Sequence, residues 1–97
     1  MKDIKQNVSL IMKIVSEKML ISETEIKHGK SHKTKRAKYI AIYLLKKVMP
    51  WLTADVISLF FGTNIYIVYR ALKIVEKKKE SWTIISELEK EIFEKII

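Results

Sequence analysis

The sequence predicts an all-α protein with a single helical domain of five or six helices, two of which form a helix-turn-helix. Its 97 residues provide enough chain for one hydrophobic core, and only two of them are glycine and one is proline. Apolar residues recur at spacings of three and four along most of the chain, which is the period of an α-helix. No stretch alternates polar and apolar residues over the length of a strand.

The first two predicted helices form an N-terminal segment, residues 1–28. A long helix is expected over about residues 2–20, because its apolar side chains fall on one face. These side chains are Ile4, Val8, Ile11, Val15 and Met19. Ser22 and Glu25 have the spacing of a capping box, which predicts a short second helix that ends at Gly29. The long helix is expected either to fold back on the core or to pair with a second copy.

Residues 29–97 are predicted to form the helix-turn-helix unit, which makes one compact domain together with the N-terminal segment. After an exposed basic loop, a helix with a two-row apolar face should run over about 34–49 and stop at Pro50. Thr53 is expected to cap a short helix over 54–60. Trp51, next to the proline, is expected to pack in the core or hinge, and a role as an anchor for a binding partner is the alternative.

The turn of the predicted helix-turn-helix is centred on Gly62, because glycine adopts the left-handed conformation that ends a helix and reverses the chain. Thr63 or Asn64 should cap the next helix, which reaches about residue 78. Ser81 should cap a last helix near the C-terminus. Four apolar residues lie where the two helices of the unit must pack together: Ile57, Phe61, Val68 and Ala71.

Positive charge dominates the chain and is concentrated in its middle. Lysine and arginine number 19 against 11 aspartates and glutamates, which gives a net charge of +8. No acidic residue occurs between Glu25 and Asp55, whereas the last helix is acidic. A local surplus of this kind favours a polyanionic partner such as nucleic acid, and binding that depends on it must weaken as salt rises.

The second helix of the predicted helix-turn-helix carries a basic stripe. At 100° per residue, one narrow strip contains Thr63, Tyr66, Arg70, Lys73 and Lys77. Such a strip suits a helix in the major groove, where residues near its N-terminus meet base edges and later cations meet phosphates. A charged stripe is also typical of the solvent-exposed side of any amphipathic helix. DNA is favoured because the basic segment between Glu25 and Asp55 contains no acidic residue.

Several segments together form a pattern that resembles a known family. Residues 35–47 read Lys-Arg-Ala-Lys-Tyr-Ile-Ala-Ile-Tyr-Leu-Leu-Lys-Lys, residues 60–62 read Phe-Phe-Gly, and residues 68–73 read Val-Tyr-Arg-Ala-Leu-Lys. Residues 21–26 read Ile-Ser-Glu-Thr-Glu-Ile. In this order, from about residue 11 to residue 90, the chain resembles the C-terminal DNA-binding domain of the bacterial chromosomal replication initiator DnaA.

The resemblance implies binding to double-stranded DNA, with a basic loop in the minor groove and the helix-turn-helix in the major groove. Lys30 or Lys33, and Lys46, occupy the matching basic positions. The family's signature Gly-Arg-Asp-His-Thr-Thr-Val is replaced over residues 62–68 by Gly-Thr-Asn-Ile-Tyr-Ile-Val. We therefore expect DNA binding, in replication initiation or transcription, without the family's sequence readout.

The predicted DNA contacts fall into two sets. The first set should contact bases or adjoining phosphates and consists of Thr63, Asn64, Tyr66 and Arg70. Lys73 and Lys77 should contact the DNA backbone. Loop and flanking contacts are expected from Lys30, Lys33, Lys35, Arg36, Lys38 and Lys46. At about 0.9 per neutralised phosphate, six such contacts give a log-log salt slope of about 5 in magnitude.

A protein-interaction or dimerisation module is the alternative. The start of the predicted recognition helix, with Ile65, Tyr66, Ile67 and Tyr69, is more apolar than a groove-reading helix needs. An exposed apolar patch often marks a protein partner. Mutation separates the two hypotheses, because one depends on the cations of this helix and the other on its apolar side chains.

Other classes of function are not expected. The sequence offers neither a nucleophile with a base nor paired carboxylates in a pocket, so we predict no enzyme activity. With no cysteine, and with His28 and His32 separated by a glycine, we predict no metal and no cofactor. The two glycines do not form a nucleotide-binding loop, so ATPase activity is not expected.

The N-terminal segment resembles neither a signal peptide nor a membrane span, which predicts a cytoplasmic, nucleoid-associated protein without membrane insertion.

Overall fold

The computed structural model describes residues 4–78 and 82–96, which form six helices and contain no strand. The helices are α1 (Ile4–Met19), α2 (Glu23–His28), α3 (His32–Val48), α4 (Ala54–Phe60), α5 (Ile65–Lys78) and α6 (Thr83–Ile96). The predicted all-α class and single domain are confirmed. Ser81, the predicted cap of the last helix, lies outside the described residues.

Helix α3 lies at the centre of the fold and packs against α1, α2, α5 and α6. Its apolar face is fully buried, which places Ile40 and Leu45 in the middle of the core. Helix α1 folds back onto this core, because Ile11 and Val15 are also fully buried. An ion pair of 3.4 Å between Lys18 and Glu87 joins α1 to α6. Of the two arrangements expected for the first helix, the structure has the one that folds back.

The short helix α2 begins with the predicted capping box. The Ser22 Oγ accepts a hydrogen bond from the Glu25 backbone N–H at 3.1 Å. At the other end the Gly29 N–H donates to the Glu25 carbonyl at 2.6 Å. A Cβ on Gly29 would lie 2.6 Å from that carbonyl oxygen and 2.8 Å from the Thr34 side chain. The close approach of α2 and α3 therefore requires glycine at position 29.

Helix α3 begins two residues earlier than predicted, so the basic loop before it is shorter. Ser31 caps the helix, since its Oγ accepts from the Thr34 N–H at 3.1 Å while the Thr34 Oγ1 donates to the Ser31 carbonyl at 2.9 Å. His32 and Lys33 consequently belong to the first helical turn, where their side chains stay exposed. The sequence predicts a loop here because these polar residues do not show the apolar spacing of a helix.

Two helices end in the same way, with one residue in the left-handed conformation. Gly62 has φ +59°, and the next N–H, that of Thr63, donates to the Ser58 carbonyl at 2.9 Å. Leu20 has φ 57°, and the Ile21 N–H donates to the carbonyl of Ser16 at 3.1 Å. The glycine was predicted, whereas a leucine in this conformation is unfavourable and was not.

Candidate nucleic-acid interface

Helices α4 and α5 form the predicted helix-turn-helix around a fully buried contact. The four residues expected to pack the two helices together, Ile57, Phe61, Val68 and Ala71, have no exposed surface. Ser58 is small enough to be buried beside them, and its hydroxyl donates to the Asp55 carbonyl at 2.7 Å. The turn therefore holds α5 in a fixed position on the core, with its opposite face in solvent.

Asn64, rather than Thr63, caps α5. Its Oδ1 accepts a hydrogen bond from the Ile67 N–H at 3.0 Å. The side-chain oxygen of Asn64 therefore caps the helix, and its amide N–H₂ group can donate to a base. Thr63 is half-buried in the turn. Both residues lie at the N-terminal end of α5, where the DNA-binding prediction expects short polar side chains to meet base edges.

Apart from the half-buried Thr63, the predicted basic stripe of α5 is exposed. Tyr66 is 77% exposed, and solvent also covers Arg70, Lys73 and Lys77. The opposite side of the helix contributes Val68 and Val75 to the core. The stripe thus offers one tyrosine and three cations on a rigid, outward-facing surface.

The basic loop lies beside the turn of the helix-turn-helix. The Cε1 atom of His28 is 3.9 Å from the point that a Cβ on Gly62 would occupy. Lys30 is two residues further along, which is at most about 7 Å of chain. Lys30 and Lys35 are both exposed. The loop that carries Lys30 therefore begins beside the turn of the helix-turn-helix.

Lys46, by contrast, has a structural role. Its ammonium group donates to the carbonyl oxygens of Pro50 and Leu52 at 2.7 and 2.6 Å. These bonds hold the connection between α3 and α4, and one N–H of the ammonium remains for another partner. No local sequence pattern indicates this role, because the carbonyl groups that bind Lys46 depend on the path of the chain after Pro50.

Three other predicted cations lie away from the α5 stripe or are partly enclosed. The Arg36 guanidinium stacks on the Trp82 ring at 4.3 Å from its centroid. Arg36 and Lys33 line a groove of about 590 Å³ between α1, α3 and α6, together with Lys18. Lys38 is half-buried, and this burial lowers the pKa of its ammonium group.

A second groove, which no local sequence pattern indicates, runs between the C-terminal half of α3 and α5. It has a volume of about 610 Å³ and is lined by Tyr43, Lys46, Lys47, Pro50, Tyr69, Leu72, Lys73 and Glu76. A smaller space of about 300 Å³ adjoins it. Trp51 lines this smaller space, beside Tyr69 and Leu72.

The prediction that Trp51 packs in the core or hinge is wrong, because its side chain is 65% exposed. Its neighbour Leu52 is buried instead. The Leu52 N–H donates to the Met49 carbonyl at 3.1 Å, and the ammonium of Lys46 holds the two carbonyls on either side of Trp51. This turn directs Leu52 into the core and Trp51 into solvent. The sequence alone does not indicate which of two neighbouring apolar residues will be buried.

Three further searches bear on the function: for metal-binding clusters, for membrane-spanning helices and for similar proteins. Within residues 4–78 and 82–96, no three His, Cys, Asp or Glu side chains are placed to hold a metal ion. None of the helices in that part of the chain has the length and hydropathy to cross a membrane. Comparison with protein-family models, curated proteins and solved structures gives no match.

Proposed function

We propose that this protein binds double-stranded DNA through the outward face of α5, with support from the loop between α2 and α3. The observation that carries the proposal is the exposed stripe of Tyr66, Arg70, Lys73 and Lys77 on the second helix of a tightly packed helix-turn-helix. The net charge of +8 adds long-range attraction to a phosphate backbone.

The dimensions of α5 suit a major groove. Its 14 residues span about 21 Å at 1.5 Å per residue, and a B-DNA major groove is about 12 Å wide. Thr63, the free amide of Asn64 and the Tyr66 hydroxyl lie at the end that would meet base edges. Lys73 and Lys77 are one helical turn apart on the same face, which suits two phosphates of one strand.

The loop beside the turn supplies a second contact. Lys30 is exposed in the loop that begins beside the turn, and we expect it to contact the DNA backbone near the same groove. This arrangement agrees with the resemblance to the DNA-binding domain of DnaA, from which we infer a role in replication initiation or transcription without ATP hydrolysis. Because residues 63–67 differ from the signature of that family, we propose binding that does not depend on the family's box sequence.

Fluorescence anisotropy tests the proposal directly. A labelled random-sequence duplex is titrated with the protein at two salt concentrations, and a duplex that contains the family's box is titrated beside it. The proposal predicts salt-sensitive binding of equal strength on both duplexes. A clear preference for the box would contradict the inferred loss of sequence readout, and no binding at low salt would refute DNA binding.

Self-association is the second candidate function, and the exposed aromatic residues favour it. Tyr66 and Tyr69 are 77% and 60% exposed, and both lie on α5. If they pair two copies, replacing Tyr66 and Ile65 by serine should convert a dimer to a monomer in sedimentation velocity, while the Arg70→Ala and Lys73→Ala changes should not. A wild-type protein that sediments as a monomer at these concentrations would refute self-association.

A further inference from the structure

We propose that the groove between α3 and α5 binds unpaired nucleobases, which stack on Trp51 and Tyr69 while Lys47 and Lys73 contact the phosphates of the strand. The inference rests on the DNA binding proposed above and specifies which DNA is bound: a duplex that adjoins a short unpaired segment.

The groove is continuous and mostly apolar. Its two parts, of about 610 and 300 Å³, share the lining residues Lys46, Tyr69 and Leu72. Trp51 is 65% exposed and Tyr69 is 60% exposed, and both line the smaller part of this open groove. Rings of this size are usually buried, and large exposed ones are characteristic of a binding surface.

Aromatic walls favour bases that are not in a duplex. In double-stranded DNA the flat faces of the bases are covered by their neighbours, so they are not accessible to a protein ring. An unpaired base exposes its face and stacks on tryptophan or tyrosine with little dependence on sequence. The groove therefore offers unpaired bases a contact that it cannot offer to a uniform duplex.

The charges at the groove edge complement a polyanionic strand. Lys47 is exposed, and its ammonium lies 5.5 Å from the centre of the Tyr43 ring. Lys73 is on the opposite edge, on α5, and the fixed ammonium of Lys46 lies where the two parts of the groove meet. Glu76 is the only carboxylate among the described residues that line the groove. This excess of positive charge suits phosphates along a strand.

The groove also adjoins the surface proposed for the duplex. Lys73 belongs to the exposed stripe of α5 and to the groove lining. Tyr69, inside the groove, directly precedes Arg70, which is on the stripe. A duplex on α5 would thus have the groove at its edge, where a strand that leaves the duplex can enter it.

The experiment compares one labelled duplex with the same duplex carrying a short central bubble of unpaired thymines. We expect the bubble to bind more tightly, by about 5- to 150-fold for each base that stacks. Trp51→Ala and Tyr69→Ala should each reduce this preference and leave duplex affinity unchanged. Leu20→Ala is the matched control, because Leu20 is an exposed apolar residue outside the groove. Circular dichroism checks that each variant folds.

Fluorescence gives an independent readout. The protein has two tryptophans, so Trp82→Phe leaves Trp51 as the single tryptophan. Its emission should fall when oligothymidine is added, because a stacked base quenches the indole. A poly-glutamate peptide of similar charge should leave the emission unchanged.

The outcomes separate this inference from the proposed function. Equal affinity for bubble and duplex with unchanged Trp51 emission would overturn the inference and leave duplex binding intact. Failure of both DNAs to bind at low salt would refute the proposed function and the inference with it. A response to poly-glutamate equal to that to oligothymidine would assign the groove to an acidic peptide. A change in emission with protein concentration alone would assign it to a second copy.

Discussion

Removing Arg70 and Lys73 together should flatten the salt dependence of duplex binding without unfolding the protein. Both side chains are exposed on α5, where a surface substitution changes the free energy of unfolding by about 0.5 kcal/mol or less. Apart from Lys33, which lines the groove between α1, α3 and α6, five predicted cations are exposed on α5 or near the adjoining loop: Lys30, Lys35, Arg70, Lys73 and Lys77. At about 0.9 for each neutralised phosphate, they give a log-log slope of about 4.5 in magnitude.

The double variant should therefore have a slope of about 2.7, since two of the five phosphate contacts are lost. Anisotropy titrations of a random-sequence duplex over a series of salt concentrations measure both slopes. The control is Lys13→Ala with Lys90→Ala, which removes the same charge from exposed positions on α1 and α6. An unchanged slope in the first variant, or an equal drop in the control, would refute the assignment of the duplex to α5.

Further predictions concern roles that the fold assigns to single residues. Lys46→Met should lower the free energy of unfolding by about 2 kcal/mol in urea denaturation, because two hydrogen bonds from an ammonium are lost, while the salt slope stays the same. A drop in slope with unchanged stability would show instead that Lys46 contacts DNA. Gly62→Ala should destabilise by about 1 kcal/mol, because alanine disfavours the left-handed conformation, and Leu20→Gly should stabilise by up to about 1 kcal/mol for the same reason. A stabilising Gly62→Ala or a destabilising Leu20→Gly in thermal melts would contradict the account of the two helix ends. Burial lowers the pKa of Lys38 below its ordinary value of 10.5, so the charged form destabilises the fold, and the stability of the wild-type protein should rise with pH from the folded-state pKa up to 10.5. Lys38→Met should remove this rise, and urea midpoints measured from neutral to alkaline pH will test it.

Features set by nearby residues could be predicted from the sequence. The apolar period places Ile57, Phe61 and Val68 in the contact between α4 and α5, and Gly62 marks the turn, because each signal lies within a few residues of its effect. The capping box at Ser22 is local in the same way. Helix content, the position of the helix-turn-helix and the exposed stripe of α5 all follow from such patterns.

Features set by distant parts of the chain could not be predicted. Arg36 meets Trp82 only because α6 packs back beside α3, and no local pattern indicates that contact. Whether Trp51 or its neighbour Leu52 enters the core depends on the hydrogen bonds of Lys46, which form only when the chain turns after α3. The groove between α3 and α5 is a product of the same packing, so its lining was visible only in three dimensions. The assignment of individual residues to DNA stays a prediction.

The most direct test of the central claim is a backbone amide NMR titration of the 97-residue protein, uniformly labelled with nitrogen-15, with a random-sequence duplex at low salt. If α5 binds DNA, the largest shift changes should occur over residues 63–77 and at Lys30, while α1 and α6 stay unperturbed. Shift changes confined to the groove between α1, α3 and α6, or none at saturating duplex, would contradict the account.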